Sequence, residues 1–595
     1  MISRRQILQL ALVSPILATL PRTQLDGPAR IIPSVDGTDV SVIKIDRRWN
    51  GSICQTQIKN HGRETVKIKE IVLFDLKLSY PPSTKLYGEG FQMLSQTGGT
   101  LGGPTDLGNY SDAKHYKLPA PPNTKAFYGM MMLSPSARDH HLFAFTTCRR
   151  FMGQFYLNHP SLQVVLDIED RELRPGEEWQ LESFTYQSGN DREQLLDQLA
   201  TQLGANHPPL KFTAPPTGWC SWYCFGPRVT AQQVLDNLDF IAKHTPGLRY
   251  VQIDDGYQPA MGDWLQTGAA FGGNVQGVLK EIRARGFEPA IWVAPFVAEE
   301  KSQIFRGRPD LFVKGTDGAP LRSDRVTFGG WRRGPWYVLD GTHPEVQQYF
   351  RTVFGKMRSE WGVSYFKLDA NFWGAIHGGC FHNKRATRIE AYRAGMKAIV
   401  NSVGTGFILG CNHPIWPSLG LIHGSRSSND IKRTWERIET TARQNLSRNW
   451  QNGRLWWNDS DAIVLTGDLP DNEFQFHATA IYASGGMLLS GDDLTKISAE
   501  KLAMLRKLQP PTGVAARFDD DSFRVGRIPL KTSEVVAVLN WDDAPQDVSI
   551  RLKRRCRITD FWSEAALGIH SETFEIKSMP ARSGRLLICA TDFHG

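Results

Sequence analysis

The segment Tyr365-Phe366-Lys367-Leu368-Asp369 has the apolar composition of a buried β-strand, yet it carries two charged side chains near its C-terminal end. Residues two positions apart in a strand point to the same face, so Lys367 and Asp369 are expected side by side. Burying either charge without a partner costs several kcal/mol, which requires that the two pair with each other, reach a polar cavity, or both. A satisfied buried ion pair is the simpler interpretation of the pentapeptide alone, and the surrounding sequence decides between it and a catalytic carboxylate.

Strand-like and helix-like patterns alternate on both sides of this segment, from residue 211 to residue 510. The predicted strands are 218–222, 250–254, 290–294, 365–369, 407–411, 421–426, 454–458 and 487–491. The predicted helices are 230–244, 275–285, 344–361, 386–402, 434–449 and 498–508. This succession predicts a (β/α)8 TIM barrel, the fold whose active sites lie where the strands end. A doubly wound open sheet is the alternative, but no glycine-rich phosphate loop accompanies the first unit.

A chain of 595 residues is too long for one hydrophobic core, so further domains are expected beside the barrel. In the segments on both sides of the barrel, apolar residues alternate with polar ones at a period of two, which is typical of β-strands. Residues 29–210 contain short β-type runs separated by turn residues, which predicts an N-terminal antiparallel β-sandwich. Residues 511–595 follow Pro510-Pro511 and predict a small C-terminal all-β domain, antiparallel in arrangement.

Residues 1–28 resemble a twin-arginine export signal. Arg4 and Arg5 precede an apolar run over residues 10–20 that is too short for a membrane span. We therefore expect a periplasmic or secreted protein without stable membrane insertion, with a cytoplasmic location as the alternative.

The composition excludes some partners and favours others. The formal charge of +8 is not gathered into Lys/Arg runs, so nucleic acid is not an expected partner. The 8 Cys show neither a disulfide framework nor zinc-site spacing. Many of the 17 Trp stand beside Gly, Asp or Asn and would suit the flat faces of sugar rings, although a core position is the commoner role for any one of them.

Polar residues cluster where three of the predicted strands end. Asp254 and Asp255 end the second strand, Asp369 ends the fourth, and Arg426 and Asp430 follow the sixth. Each set is commonplace alone, because Asp-Asp-Gly is usually a turn and an Arg and an Asp four residues apart are usually a surface pair. At matching ends of one barrel they indicate a single site.

Two carboxylates that face each other across a sugar, one ionised and one protonated, are what glycoside hydrolysis requires. Lys367 would keep Asp369 ionised, which is the state that a nucleophile needs. Asp430 would then be the acid/base, and we expect partial burial and repulsion from Asp369 to keep it protonated before attack. The charge of Arg426 would favour the ionised form of Asp430. We therefore assign Arg426 to orientation and to sugar contact instead of to proton transfer.

A set of short motifs in consistent order resembles glycoside hydrolase family 36, the alpha-galactosidase or melibiase family, which shares a clan with family 27. The motifs are Gly218-Trp219-Cys220-Ser221-Trp222-Tyr223, Gln252-Ile253-Asp254-Asp255-Gly256-Tyr257, Gly262-Asp263-Trp264, Trp292-Val293-Ala294-Pro295-Phe296, Tyr365 to Asp369, Ile408-Leu409-Gly410-Cys411, Arg426-Ser427-Ser428-Asn429-Asp430 and Trp457-Asn458-Asp459. They span the whole predicted barrel.

The resemblance implies a retaining exo-glycosidase that removes terminal alpha-D-galactosyl residues from oligosaccharides or glycoconjugates without a metal or organic cofactor. It implies that Asp369 is the nucleophile and Asp430 the acid/base. The substrate-binding residues that it implies are Trp222, Asp254, Asp255, Trp292, Lys367, Cys411 and Arg426.

Asn412 and His413 depart from the small residues that are common after Cys411 in the family. The resemblance places this loop beside the C2 substituent of the sugar, so Asn412 is included among the substrate-binding candidates. His413 has no partner at metal-ligand spacing and is interpreted as a loop histidine.

Alternatives with the same machinery remain open. They are an alpha-N-acetylgalactosaminidase, a hydrolase of another galacto-configured sugar such as a beta-L-arabinopyranoside, and a raffinose-synthase-like alpha-galactosyltransferase. A non-catalytic carbohydrate-binding relative belongs to a different class, and the presence of Asp369 and Asp430 argues against it. The expected partner is a small-molecule or glycan substrate, and the sequence leaves homo-oligomerisation open.

Overall fold

The computed structural model describes residues 22–590, which form an N-terminal pair of antiparallel sheets, a closed parallel barrel and a C-terminal pair of antiparallel sheets. The predicted fold class is confirmed. The predicted export signal lies outside the described residues except for residues 22–28. Within residues 22–590, no helix has the length and apolar character needed to span a membrane.

The N-terminal sheets pack face to face around apolar side chains that both contribute, such as Phe74 of one sheet and Phe184 of the other, whose ring centroids are 5.1 Å apart. One sheet has the order β1-β4-β12-β11-β8, and the other has β13-β3-β14-β10-β9-β5-β6-β7 with β2 paired to β3. The elements are α1 (Arg22–Leu25), β1 (Arg30–Pro33), β2 (Ile43–Asn50), β3 (Ile53–Asn60), β4 (Val66–Lys77), β5 (Lys85–Glu89), β6 (Gln96–Thr100), β7 (Gly103–Asp106), β8 (Lys125–Tyr128), β9 (Met130–Ser136), β10 (Asp139–Phe145), β11 (Met152–Asn158), β12 (Ser161–Leu173), β13 (Glu178–Gln180), β14 (Phe184–Gly189) and α2 (Arg192–Asn206).

The barrel closes in the order β15-β16-β17-β20-β21-β22-β23-β24, with every neighbouring pair parallel. Its strands and one inserted hairpin are β15 (Thr217–Cys220), β16 (Tyr250–Ile253), β17 (Glu288–Val293), β18 (Val297–Glu299), β19 (Trp336–Val338), β20 (Tyr365–Leu368), β21 (Phe407–Gly410), β22 (Gly424–Arg426), β23 (Trp457–Ile463) and β24 (Met487–Ser490). The helices are α3 (Trp222–Phe225), α4 (Ala231–His244), α5 (Val275–Ala284), α6 (Gln303–Gly307), α7 (Pro344–Ser359), α8 (Arg388–Val403), α9 (Trp435–Ser447), α10 (Asp471–Ser484) and α11 (Ala499–Lys507).

All barrel strands predicted from the sequence are present, although β22 and β23 begin three residues later than expected. Helix α10 was not predicted, because it has no polar face. Its buried residues lie on all sides of the axis and include Glu473, Phe476 and His477, so the alternation that identifies a surface helix is absent. It lies between the barrel and the C-terminal sheets, where Gln475 donates a hydrogen bond to the Gly584 carbonyl at 2.8 Å.

The C-terminal domain has one sheet in the order β25-β26-β27-β32-β29-β30 and a second sheet of β28 and β31. Its strands are β25 (Arg517–Phe518), β26 (Val525–Pro529), β27 (Ser533–Asn540), β28 (Gln546–Arg551), β29 (Cys556–Asp560), β30 (Ala566–His570), β31 (Thr573–Met579) and β32 (Ser583–Ala590). Strand β27 buries one face against α10 and the other against β28 and β31.

A buried ion pair joins the N-terminal sandwich to the barrel. The Arg448 Nη2 lies 2.6 Å from Glu89 Oε2, and the two side chains are 1% and 0% exposed. Arg448 also donates to the Met93 carbonyl at 2.5 Å and to the Ser427 carbonyl at 2.9 Å. One barrel guanidinium therefore holds the sandwich loop 89–93 and the segment that leads to Asp430.

We predict that Arg448→Met lowers the free energy of unfolding by about 3–5 kcal/mol, because it leaves the Glu89 carboxylate buried without its cation. Thermal and denaturant unfolding would measure the loss. The matched control is Arg30→Met, which breaks a pair with Asp75 whose side chains are 51% and 45% exposed, and which should cost about 1 kcal/mol or less. Equal losses in the two variants would contradict the prediction.

Candidate active site

The C-terminal ends of the barrel strands bring the predicted site residues to one face of the molecule. Asp254 follows β16, Asp369 follows β20, Cys411 follows β21 and Arg426 ends β22. Because these strands are parallel, their ends lie at the same edge of the sheet, as the sequence predicted.

Lys367 forms its ion pair with Asp254 instead of with Asp369, and it acts on Asp369 as a nearby charge, as expected. Its Nζ lies 3.0 Å from Asp254 Oδ2, and the two side chains are 7% and 2% exposed. Asp254 Oδ2 also accepts a hydrogen bond from Gln252 Nε2 at 2.6 Å. Strand β20 ends at Leu368, and Ala370 has a φ of 53°, so the alternation that would place Lys367 and Asp369 on one face no longer applies at Asp369.

Asp369 is a recessed carboxylate held by neutral donors. Trp292 Nε1 donates to its Oδ2 at 3.0 Å, and the Ala370 amide donates to its Oδ1 at 2.7 Å. Burial raises the pKa of Asp369, and the charge of Lys367 together with these two hydrogen bonds opposes that rise without cancelling it. Within residues 22–590, Asp369 forms no ion pair shorter than 4.0 Å. Trp292 is 1% exposed, so its main contribution is the hydrogen bond to this carboxylate and not an apolar surface for a ligand.

Asp255 carries a guanidinium partner that the sequence did not reveal. Arg332 Nε lies 3.0 Å from Asp255 Oδ2, and its Nη2 donates to the other carboxylate oxygen. Gln258 Nε2 donates to Asp255 Oδ1 at 2.7 Å. Arg332 lies on a loop between β18 and β19. In the sequence, the available sign of this partner was the arginine pair Arg332-Arg333 in a segment rich in glycine and tryptophan.

Arg426 connects two carboxylates of different exposure. Its Nη2 lies 2.8 Å from Asp430 Oδ1 and 2.5 Å from Asp461 Oδ2, and it also donates to the Tyr223 hydroxyl at 3.1 Å. The Arg426 side chain is 1% exposed, while that of Asp430 is 60% exposed. The expected partial burial of Asp430 is therefore not found.

Asp461 is a buried carboxylate that the sequence analysis missed. Burial raises its pKa to about 7, with the charge of Arg426 opposing the rise and the charges of Asp430 and Asp459 adding to it. Its Oδ2 accepts hydrogen bonds from the Tyr223 hydroxyl and from the Ile431 amide. A second acidic residue two positions after Asp459, on the same strand, was the available signal.

The remaining predicted residues surround these carboxylates. Trp222 is half-buried and packs against the apolar cluster at the barrel centre. Cys411 is buried and accepts a long hydrogen bond of 4.0 Å from Arg426. Asn371, which was not predicted, lies two residues after Asp369 with both its side-chain polar atoms buried and without a partner among the described residues. Such a side chain is available to a ligand.

Asn412 and His413 differ in what they contact. Asn412 has a φ of 41° and accepts a hydrogen bond at 2.8 Å from Tyr116 of the N-terminal domain. His413 is buried between Ser418 and Ser425, with ring nitrogens 3.0 and 2.9 Å from their hydroxyls, and burial lowers its pKa to about 3. His413 is thus a neutral structural histidine, and no cluster of three His, Cys, Asp or Glu side chains able to hold a metal is found in the described part of the chain.

Part of the barrel matches a known protein family. Residues 240–407 match the family described as Melibiase, so the resemblance drawn from the motifs is confirmed for this part of the barrel. Myogenesis-regulating glycosidase from Mus musculus is 32% identical over 153 residues, which are 26% of this chain and 20% of that protein. The first curated relatives are matched over only 13–20% of their own lengths.

Solved structures share the architecture over a much larger part of the chain. TtGalA, an alpha-galactosidase from Thermus thermophilus in complex with p-nitrophenyl alpha-D-galactopyranoside, has a TM-score of 0.62 at 21% identity and covers 82% of this chain and 98% of its own. A variant of the family 36 alpha-galactosidase AgaA from Geobacillus stearothermophilus, in complex with 1-deoxygalactonojirimycin, has a TM-score of 0.66 at 13% identity and covers 95% of this chain and 87% of its own. At these identities the likeness establishes the shared fold.

We predict that Asp461→Asn flattens the dependence of stability on pH. The pKa of Asp461 is raised from 3.8 to about 7, so the folded protein binds a proton there that the unfolded chain has released. Its contribution is complete below pH 4 and is lost as the pH rises through 7. Thermal unfolding of both proteins between pH 4 and pH 8 should show the variant gaining stability relative to wild type as the pH rises.

The control for this measurement is Asp239→Asn, since the side chain of Asp239 is 65% exposed on the barrel surface. It should leave the shape of the pH profile unchanged. A wild-type profile that runs parallel to that of Asp461→Asn would contradict the raised pKa of Asp461.

Proposed function

We propose that the protein is a retaining exo-acting glycosidase that hydrolyses terminal alpha-D-galactosyl residues of oligosaccharides or glycoconjugates by double displacement. The observation that carries the proposal is the difference between the two carboxylates at the strand ends. Asp369 is recessed and fixed by neutral donors, while Asp430 is exposed and held by a guanidinium. A retaining glycosidase uses two carboxylates in different roles, one as nucleophile and one as acid/base.

In this mechanism Asp369 attacks the anomeric carbon and forms a covalent glycosyl-enzyme. The Trp292 indole and the Ala370 amide hold its carboxylate in one orientation before attack. Its raised pKa makes it a stronger base than an exposed aspartate, and the nearby charge of Lys367 favours the ionised form.

Asp430 donates a proton to the departing glycosidic oxygen and later removes one from water. Once Asp369 has become an ester, its negative charge no longer acts on Asp430, and the carboxylate is free to serve as base in the second step. Arg426 fixes the position of Asp430 through the 2.8 Å contact.

Asp254 and Asp255 are proposed to bind the sugar hydroxyls. Each is already paired with a cation, Lys367 for Asp254 and Arg332 for Asp255, so each position offers an acceptor and a donor together. An axial hydroxyl can hydrogen-bond to such a pair, whereas the epimer without that axial hydroxyl leaves the pair without the bond. The site therefore discriminates strongly against the wrong epimer. The buried, unpartnered amide of Asn371 is a further group that a sugar would satisfy.

A panel of aryl glycosides that includes the alpha-galactoside, the alpha-N-acetylgalactosaminide and the beta-L-arabinopyranoside, with NMR of the first product anomer, tests the proposal. We expect cleavage of the alpha-galactoside with the alpha-anomer released first. Preference for the alpha-N-acetylgalactosaminide or the beta-L-arabinopyranoside, or transfer of galactose to another sugar, would select one of those activities instead. Sugar binding without turnover would indicate a non-catalytic carbohydrate-binding protein.

We predict that Asp369→Asn lowers kcat for an aryl alpha-galactoside by at least about 10³-fold, because the amide cannot attack the anomeric carbon. Steady-state kinetics would measure the loss. Asp239→Asn on the barrel surface is the matched control and should be as active as wild type. Unchanged turnover in Asp369→Asn would overturn the assignment of the nucleophile.

We predict that Asp430→Asn spares substrates with good leaving groups, because these need less protonation at the glycosidic oxygen. Comparing kcat/KM for dinitrophenyl and unactivated alkyl alpha-galactosides measures this, with the larger loss expected for the alkyl substrate. Equal losses for both would count against Asp430 as the acid/base.

Export is proposed on the sequence alone. Arg4 and Arg5 precede an apolar run as in a twin-arginine signal, which supports a periplasmic or secreted location. The double substitution Arg4→Lys and Arg5→Lys should block translocation, and normal arrival of this variant in the periplasm would overturn the proposal.

A further inference from the structure

A cavity of about 440 Å³ lies between the N-terminal domain and helix α8 of the barrel. Its lining includes Arg149 and His207 from the N-terminal side, Glu390, Arg393 and Lys397 from α8, and Gly420 from the loop that follows β21. A volume of this size is typical of sites for small molecules. No residue proposed for catalysis or for sugar binding lines the cavity, so it is separate from the site at the strand ends.

Helix α8 contributes three ionisable residues to the lining. Glu390, Arg393 and Lys397 follow one another at separations of three and four residues, which places them on one face of the helix. The half-buried Arg393 donates from Nη1 to the Pro417 carbonyl at 2.8 Å and to the Leu419 carbonyl at 3.1 Å. In the described part of the chain, its Nε and Nη2 donate no hydrogen bond, and these groups are available to a ligand.

The N-terminal domain supplies a second guanidinium. The exposed Arg149 donates from Nη2 to the carbonyl of Asn206, the last residue of α2, at 3.1 Å. The next residue, His207, accepts a hydrogen bond at Nε2 from the Cys148 amide at 3.0 Å. Burial lowers the pKa of His207 to about 3, and the charges of Arg393 and Arg149 add to that decrease. His207 is therefore neutral at pH 7, and both guanidinium charges act on it.

Gly420 allows the two walls of the cavity to meet. It has a φ of 75°, and a Cβ atom there would lie 3.2 Å from the Pro208 carbonyl oxygen. The loop that binds Arg393 thus lies against the segment that follows Asn206, which binds Arg149. Contact between the two domains therefore brings the two arginines to one cavity.

The carboxylates near the cavity already have other partners. Glu390, the acidic residue in the lining, accepts a hydrogen bond from the Thr387 amide at 3.0 Å and lies 3.6 Å from Arg150 Nε. Glu182 also acts on the charge in the cavity but does not line it. The Glu182 carboxylate accepts hydrogen bonds from the backbone amides of residues 149–151.

The cations of the lining lack a counter-charge. Within residues 22–590, Arg149, Arg393 and Lys397 form no ion pair with a carboxylate. Removing a cation from water without a counter-charge costs free energy, and burial accordingly lowers the pKa of Arg393. An anion in the cavity would offset this cost. Three cations beside one carboxylate leave an excess of positive charge that suits a divalent anion.

We propose that the cavity binds a divalent tetrahedral oxyanion, either free or as the phosphate or sulfate group of a small molecule. Arg149 and Arg393 donate to its oxygens, because the planar fork of a guanidinium matches phosphate geometry, and Lys397 adds an ammonium group. The bound anion contacts both domains and stabilises their docking. The proposal does not rest on the glycosidase activity, because the two sites share no residue.

Isothermal titration calorimetry with sodium phosphate tests the proposal, at an ionic strength held constant with sodium chloride so that general screening does not change. Wild type should bind phosphate at one site, and thermal unfolding should show Tm rising with the phosphate concentration. Titration with glycerol 3-phosphate separates the two sources of the anion. A lower Kd than for phosphate indicates an ester of a small molecule, and an equal or higher Kd indicates the free ion.

Three variants locate the binding. Lys397→Met removes an exposed ammonium group and should raise Kd for phosphate by about 5-fold while leaving Tm in chloride unchanged. Arg393→Gln should raise Kd by at least about 10-fold. Lys243→Met is the matched control, since Lys243 is an exposed lysine on another barrel helix, α4, and should leave Kd unchanged.

Two results would overturn the proposal. One is the absence of phosphate binding to the wild-type protein. The other is a Kd for phosphate that is the same in Lys397→Met, Arg393→Gln and Lys243→Met, because the ion would then bind elsewhere. Neither result bears on the glycosidase function, which is tested with its own substrates.

Discussion

The site is organised by the need to compensate negative charge that lies out of water. Asp254 has Lys367, Asp255 has Arg332, and Asp461 shares Arg426 with Asp430. Removing one partner from such a pair leaves an uncompensated buried charge, so these pairs hold the strand ends in one arrangement. Asp369 differs, since it is stabilised by an indole and a backbone amide. The proposed nucleophile is therefore the carboxylate in this group that is held by hydrogen bonds from neutral donors and not by an ion pair.

The N-terminal sandwich helps to position the loop that carries Asp430. Arg448 binds Glu89 and also the Ser427 carbonyl, three residues before Asp430. Asn429 donates to the Leu94 carbonyl at 3.2 Å and accepts from the Asn109 amide at 3.0 Å. The loop that carries Asp430 is thus fixed from the sandwich as well as from its own strand.

The protein uses arginine where one cation must satisfy several acceptors. Arg426 contacts two carboxylates and a tyrosine hydroxyl, and Arg332 binds Asp255 through two nitrogens. A lysine at either position has one nitrogen and lacks the fixed fork of donors. Lys367 faces mainly one carboxylate, and a single ammonium group suffices there.

The sequence by itself determined the barrel, its strands and the ends at which the site lies, because hydrophobic period and polar strand termini are local properties of the chain. It also marked Asp369, Asp430, Asp254 and Asp255 as candidates, each of which ends or follows a strand. It did not determine that Lys367 pairs with Asp254, that Arg332 reaches Asp255, or that Asp461 meets Arg426. Those contacts join residues from 35 to 113 positions apart, so they exist only after the barrel has closed and the inserted loop has folded over its mouth. Helix α10 was missed for a related reason, since burial on every side removes the alternation from which a helix is recognised.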